Sequence, residues 1–556
     1  MRRRLPGRQI QVFGEMRKAA QGSERGYVLQ WAIAAVFVSS IVYGWGWLIT
    51  PSEFQFLGLT HNIDDGAVYL SWMRQAADGH FFIRNLFTNQ AQAGGQFNVL
   101  FLLMGNCARL LHLPLITAFH LFRCASAIVL VWSVWRFSKL FLDDSYSRRL
   151  LIPILCFSSG VGWLLGGKPP TGPVDVWQPE AITFLSVYLN PLFLAGLILM
   201  VWSLYHLTLA ERNGRVSNAV WAGVCLLLLG NVHTYDVVTV ACVWVCHLVV
   251  LAIVRRAVPV RGLVLSVIVG FIAVPSVAYQ FYVYSIDLVL HARANSPALS
   301  PPVWSYFAGY GLVLVGAAAG AVLSIMRHKV RQADHRLASD KRLLLIVWSV
   351  VGFVLPYVPV AQQRKLVMGL HIPLCILCAY ALSRLLSGRP KWIMGAAAAV
   401  FVGFTAVGNM AFLSSDEALL SKGRTATHYF AYMPSEELDA MRYLRENAER
   451  EDTVFAPPTF ALFTPAFTGC RVYYGHWSET PDHERKFAEW SRFVRHGADD
   501  KSKERIFKST GSEFYVSTGP GTGPPESAVG AYLQRVYESG EVAVYRRSGE
   551  VGGFGQ

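Results

Sequence analysis

Long apolar runs separated by short polar connections fill the chain from about residue 27 to residue 413. Segment 27–50 (YVLQWAIAAVFVSSIVYGWGWLIT) has no charged residue and exceeds the roughly 20 residues that cross a bilayer. The same length test predicts spans near 119–140, 150–167, 189–210, 219–235, 236–255, 262–281, 305–325, 343–360, 367–386 and 391–413, about eleven crossings in all. The run 97–112 (FNVLFLLMGNCARLLH) is short for a span and reads as a juxtamembrane helix near the interface. Counting it as a crossing would also invert every later loop. Between 51 and 118, HNIDDGAVYLSWMRQ opens an amphipathic helix on which Asp65, Tyr69, Trp72 and Ala76 share one face.

After residue 413 the pattern changes to that of a water-soluble domain. Residues 435–449 form a helix with Ser435 as its cap and Glu436 and Glu437 in the first turn. TVFAP (453–457), RVYYG (471–475), EFYVST (513–518) and EVAVYRR (541–547) read as strands, with helices near 482–495 and 500–509 and a loop at GPGTGPP. The fold class expected is therefore mainly α, a polytopic membrane helical bundle followed by a C-terminal extracytoplasmic α/β domain. The divisions expected are a basic cytoplasmic tail at 1–26, a membrane domain at 27–413 whose first outer loop is 51–118, and a soluble domain at 414–556.

Composition agrees. Of 556 residues, 53% are hydrophobic and only 15% charged, against about a quarter in soluble proteins. The net charge of +14 does not point to nucleic acid, because of where the charge lies. Basic residues gather in the N-terminal tail and in alternate loops (136–149, 212–215, 255–261, 327–342, 384–391), about 25 against about 7 in the opposite loops. This places the N-terminus in the cytoplasm and, with an odd number of spans, the C-terminus outside. The first apolar run is too long for a cleaved signal. The nine cysteines lie mostly in apolar segments. Cys375 and Cys378 form a CxxC inside a span, where thiols act as small apolar groups. No zinc site or disulfide framework is implied.

Ionisable residues near one membrane face carry the candidate chemistry, since charge at a membrane is costly unless used. Asp64 and Asp65 lead. Either could accept a proton, or they could be an N-cap aspartate and a first-turn aspartate of an interfacial helix. Arg364 and Lys365 could hold a phosphate or snorkel to headgroups. His233 and Asp236 could line a sugar site, or Asp236 could cap a helix. Glu180 could be a functional acid or a helix-opening one. Arg123, near His120 on the second span, needs a partner, for which Asp64 or Asp65 would serve. Tyr473, Tyr474, His476 and Trp477 (RVYYGHWSETPD) could meet an acceptor or make a domain contact.

The acidic pair after the first span, Tyr69 and Arg74 behind Asp65, the Gly79-His80-Phe81 step, the juxtamembrane helix and Arg123 together resemble the GT-C superfamily of polytopic membrane glycosyltransferases. The likeness is greatest to the bacterial branch related to protein mannosyltransferases and aminoarabinose transferases. The resemblance implies a polyprenyl-phosphate-linked sugar donor, an outer-face site at the plasma (inner) membrane and metal-independent inverting transfer to a glycan, lipid or protein acceptor in the cell envelope. It implies that Asp65 is the catalytic base with Asp64 beside it, and Tyr69, Arg74 and Arg123 match its first-loop pattern; Glu180, His233, Asp236, Arg364 and Lys365 are the further candidates for substrate contact. It implies no cofactor and no metal ligand, with a divalent metal left open. One departure stands out. The Lys-Pro-Pro that leads into the juxtamembrane helix in related enzymes is replaced by QAQAGGQFN (90–98), which shifts the expected phosphate contact to Arg364 and Lys365. A flippase or transporter for a lipid-linked glycan and an inactive glycosyltransferase-like scaffold are the rival readings. A transporter predicts inverted repeats and helices broken at mid-depth.

Overall fold

The computed structural model describes residues 7–167, 169–331, 340–423, 431–495 and 499–548. The basic residues Arg2, Arg3 and Arg4, Lys168 and the stretch 332–339 of the 327–342 loop lie outside the described residues. The described residues divide into two compact units. One is drawn from Met1–Ile41, Phe122–Val277 and Ala298–Ser414, the other from Val42–Leu121, Ala278–Pro297 and Ser415–Gln556.

The chain is a multi-pass membrane protein. Among the described residues nine helices are long and apolar enough to cross a membrane. Two shorter apolar helices, Val216–Val232 and Leu343–Tyr357, occupy the places of the expected spans 219–235 and 343–360. The expected juxtamembrane helix is Val99–Leu110. Its 12 residues rise only about 18 Å, short of a hydrocarbon core of about 30 Å.

Boundaries differ from expectation in three places. The first helix runs from Gly7 to Leu48 and so takes in most of the basic tail. The last span continues to Gly423, because SSDEALLSK contains no helix breaker before that glycine. The span expected at 150–167 is interrupted: a helix Ser145–Phe157 stops, and a short turn Gly162–Leu165 follows.

Within the first unit that interruption is matched by another. The helix Val303–Arg331 is broken at Gly311, whose φ of 44° suits glycine. A Cβ on Gly311 would come within 3.1 Å of Gly160 Cα, and one on Gly160 would strike the Ala308 carbonyl. The two irregular stretches therefore meet where neither has a side chain. Their backbone groups are satisfied by neighbours, as burial in lipid demands. Ser159 N–H donates to Thr405 O (2.7 Å), Val161 N–H to Ala308 O (2.9 Å), and the Asn409 amide to Phe157 O (2.8 Å). Farther along the same helix Gly316 and Gly320 open a small-residue face. A Cβ on Gly316 would lie 2.5 Å from Cys378 Sγ, and one on Gly320 would strike the Leu377 carbonyl. Cys375 and Cys378 are buried free thiols, packed as the CxxC was expected to be.

The second unit contains both sheets. Strand β1 (Phe54–Phe56) pairs antiparallel with β2 (Tyr432–Pro434). A five-stranded mixed sheet takes β3 (Thr453–Phe455), β4 (Arg471–Val472), β5 (Phe514–Ser517), β6 (Leu533–Ser539) and β7 (Val542–Arg547) in the order β4-β3-β5-β7-β6. Strand β3 runs parallel to β4 and β5, and β7 antiparallel to β5 and β6. Phe455, Tyr474, Phe493, Phe507, Tyr515 and Leu533 form its core. The four expected strands are present. Strand β6 (LQRVYES) and the helix Pro458–Thr468 were not anticipated. The strand is an edge with charges in its pattern, and the helix carries Pro458 and Pro465. Ser435 is the first helical residue rather than the cap, which falls on Pro434. The residues after the first carboxylate helix lie along this sheet. Val472 N–H donates to Leu86 O (2.9 Å), Thr480 Oγ1 to Phe87 O (2.8 Å) and Asn89 Nδ2 to Thr510 O (2.6 Å).

A buried ion pair locks the first unit near the start of its first span. Arg148 donates from Nε and Nη2 to both oxygens of Glu24 (2.6 and 3.1 Å), and Trp135 Nε1 adds a third bond (2.8 Å). Removing one partner of such a pair strands the other. Arg148→Ala should therefore destabilise the protein by about 3–5 kcal/mol, read as a lower unfolding midpoint in detergent.

Candidate functional site

The helix Ile63–Ala77 carries the acidic pair in its first turn, not at its cap. The cap is Asn62, held in the left-handed region at φ 47°, a conformation asparagine tolerates. Two neighbours fix the approach to this turn. Gly66 admits Leu59, to which a Cβ would come within 2.7 Å. His61 Nδ1 lies 3.3 Å from Asp416 Oδ1. Asp64 and Asp65 thus sit at the positive end of the helix dipole, a place that suits acidic side chains. Tyr69 stacks on Phe101 of the juxtamembrane helix (5.3 Å), and Trp72 meets the same ring edge-on. The helix ends just before Gly79, whose φ of 94° carries the turn.

The turn that follows β4 closes on this pair. His476 is almost wholly buried, and its Nε2 lies 3.5 Å from both Asp64 Oδ2 and Asp65 Oδ1. Trp477 Nε1 donates to Asp64 Oδ2 at 2.9 Å, while its indole remains 56% exposed. The two rings stack with centroids 5.7 Å apart. Burial lowers the His476 pKa, but the nearby carboxylates of Asp65, Glu479 and Asp64 raise it, and the net direction is up. The other ring nitrogen limits how far a second proton can be taken. Nδ1 accepts from the N–H groups of Ser478 (3.2 Å) and Glu479 (3.3 Å), so it has no room for a hydrogen of its own.

Glu479 ties a third segment to the turn. Its Oε1 accepts from Arg293 Nε at 2.7 Å, and Asn85 Nδ2 donates to its carbonyl at 2.7 Å. The Arg293 guanidinium lies 4.9 Å above the Trp72 ring. Arg293 belongs to the helix Leu288–Asn295, capped by Asp287, which also accepts from Gly94 N–H at 3.3 Å. Three stretches remote in sequence therefore surround the carboxylates: the 63–77 helix, the 476–479 turn and the 288–295 helix.

No family model matches the sequence, and no curated protein matches it. Solved structures do match. The archaeal oligosaccharyltransferase AglB from Archaeoglobus fulgidus, solved with an inhibitory peptide and a dolichol-phosphate, aligns with a TM-score of 0.53 at 11% identity over 88% of this chain and 69% of that one. ArnT from Cupriavidus metallidurans in the apo state aligns at 0.51 and 13% identity over 93% and 97%. The mycobacterial arabinofuranosyltransferase AftD aligns at 0.51 and 14% identity over 93% of this chain but 41% of its own length. The fold is that of the GT-C membrane glycosyltransferases.

Within this GT-C fold the second unit holds Asp64, Asp65, Tyr69 and Arg74. Arg74 is at the far end of their helix, donating to Ala466 O (3.2 Å) and lying 3.7 Å from Asp78. The first unit holds the other expected residues. Arg123 is buried and donates to Ser39 Oγ, Ser40 Oγ and Val187 O. His233 Nδ1 lies 3.1 Å from the fully buried Asp236, which Gly196 admits. Arg364 and Lys365 sit in the short turn Gln363–Val367. The Arg364 guanidinium is 5.7 Å over Trp177, and Lys365 Nζ 4.9 Å over Tyr235. Gln178 Nε2 donates to Arg364 O (3.1 Å), and Glu180 is buried two residues along. Asp175, in the same loop, is buried with Oδ2 on Gly162 N–H, and burial pushes its carboxyl up to about 7. Glu479, Arg293 and Asn85 are the neighbours of the pair that the sequence did not single out, whereas His476 and Trp477 were expected either to meet an acceptor or to make a domain contact.

Proposed function

We propose that this protein is a glycosyltransferase that moves a sugar from a polyprenyl-phosphate-linked donor to a glycan, lipid or protein acceptor at the outer face of the plasma membrane. The observation that carries the reading is the carboxylate pair in the first turn of the 63–77 helix, beside an exposed indole, in a chain with the GT-C fold. The likeness of the fold to AglB, solved with a dolichol-phosphate, and to ArnT supports a lipid-linked donor.

In the reaction proposed, an acceptor hydroxyl attacks the anomeric carbon as the bond from that carbon to the phosphate oxygen breaks. The polyprenyl phosphate leaves with the electron pair, and the hydroxyl proton passes to a carboxylate. Asp65 is assigned that role, with Asp64 beside it accepting a hydrogen bond from Trp477 at 2.9 Å. Arg364 and Lys365 are assigned to the donor phosphate, Arg with a forked set of donors and Lys as a point charge.

Three results test this proposal. Engineered cysteines near 500 should react with an impermeant maleimide added outside and those near 335 should not; the reverse pattern would overturn the N-in, C-out orientation. Asp65→Asn should abolish transfer from a lipid-linked donor while the protein still inserts, and Asp64→Asn should be damaging but less complete, because an amide cannot take the proton. Turnover near the wild-type rate in Asp65→Asn would remove Asp65 from the mechanism. Arg364→Ala should weaken donor use by about one to two orders of magnitude, since a charge-assisted bond is worth about 1.5–3 kcal/mol. Arg364→Lys should recover only part, and a silent Arg364→Lys would leave the residue no role with the phosphate.

A further inference from the structure

His476 belongs to the C-terminal sheet, more than 400 residues from the acidic pair, yet its ring lies between the two carboxylates. Adjacent carboxylates repel, and one of two tends to hold its proton unless donors offset the repulsion. The groups that face the ring are Asp64 and Asp65 on the 63–77 helix, Glu479 in its own turn, and His483 at the start of the next helix. Arg293 pairs with Glu479 of the same turn. The two N–H groups that donate to Nδ1 fix the tautomer and put the ring's hydrogen on Nε2. Nε2 lies 3.5 Å from an oxygen of each carboxylate.

We propose that His476 is a positioning residue for the carboxylate pair, a neutral Nε2–H donor that keeps Asp65 ionised and aimed, so that the C-terminal domain completes the active site. The proposal rests on the reading of Asp65 as the base. The N–H has one hydrogen for two acceptors. It lies 3.5 Å from Asp65 Oδ1, and the few tenths of an ångström that separate this from a normal bond close when substrate orders the site. The backbone donors at Nδ1 come from the same turn that Glu479 clamps to Arg293 and Asn85, so the tautomer is built into the fold.

The test compares His476→Phe, which keeps a ring but no donor, with His476→Gln, which keeps an N–H near the Nε2 position. Two readouts are followed. One is the acid limb of the transfer rate against pH. The other is an infrared titration of the carboxyl band that is absent from Asp65→Asn. Loss of a hydrogen bond to the ionised form raises a carboxylate's pKa. In His476→Phe both the limb and the band should move up by about one pH unit, and in His476→Gln both should return toward wild type. A band that shifts while the rate profile does not would keep the donor role and defeat Asp65 as the base. A band that stays in place in His476→Phe, whatever the loss in rate, would make His476 a structural contact and overturn the proposal. Should His476→Phe fail to fold, the ¹⁵N signals that vanish in His476→Gln decide it in the wild type. A neutral Nε2–H tautomer is expected at pH 8, above the raised pKa of the ring, and an Nδ1–H tautomer there would overturn the proposal.

Discussion

Two negative charges on adjacent residues are the constraint around which the second unit is arranged. A first turn of helix offers Asp64 and Asp65 the favourable end of a dipole, but backbone alone does not distinguish the two. The distinction comes from the 476–479 turn. Trp477 engages one carboxylate directly, and His476 faces both. The turn is itself held by Glu479, a buried carboxylate with the guanidinium of Arg293 against it. Carboxylates, imidazole, carboxylate and guanidinium therefore follow in succession. Each member is placed by the demand of the one before it.

The first unit meets its polar demands differently. Arg123 is buried among hydroxyls and a carbonyl, His371 among Thr183, Ser158 and Cys375, and Glu24 against Arg148 and Trp135. Apart from Cys375, one turn along the helix that His371 opens, the partners come from segments remote in sequence. This is the economy of helix packing in lipid, where apolar surface gives little preference for one neighbour over another and polar bonds and close approach choose the partner. The same logic explains why Arg123, expected to need a partner, is satisfied by neutral groups. An arginine has five N–H donors, and hydroxyls and a carbonyl offer acceptors without the desolvation of a second charge.

These two styles of satisfaction set what the sequence can disclose. Spans are legible because a bilayer imposes a length on every apolar run, and the short 97–112 segment is recognisable by the same rule. The carboxylate pair is legible because it opens a helix next to a span. His476 and Glu479 are visible as residue types, but their role depends on strand β4 delivering the turn to a helix more than 400 residues earlier, and no local pattern encodes that distance. Arg293 sits in a loop that reads as Pro-rich and irregular, where its helix is only eight residues long. The break at 158–161 hides inside an apolar run for a related reason. Serine and glycine cost little hydropathy, and only the opposing Gly309 and Gly311 reveal that the stretch is a crossing point.

That crossing bears on the rival reading of the chain as a transporter. Broken helices at depth are what a transport site uses to offer free carbonyls and helix ends to a solute. Here the break is closed by the protein itself. Asn409 takes the carbonyls of Phe157 and Ser158, Ser159 bonds to Thr405 through both its N–H and its hydroxyl, and Val161 bonds to Ala308. The nearby Asp175 is bonded to Gly162 N–H, and burial raises its pKa to about 7, so near neutrality much of it carries no charge with which to draw a cation. The broken helices of the first unit act as a packing joint, with glycine on both faces so that backbone can meet backbone. In the second unit, by contrast, Trp477 leaves its indole exposed beside carboxylates that are themselves only partly covered. Of the two polar centres, the second is the one that presents unburied functional groups, and a partly exposed carboxylate is a group chemically able to accept a proton.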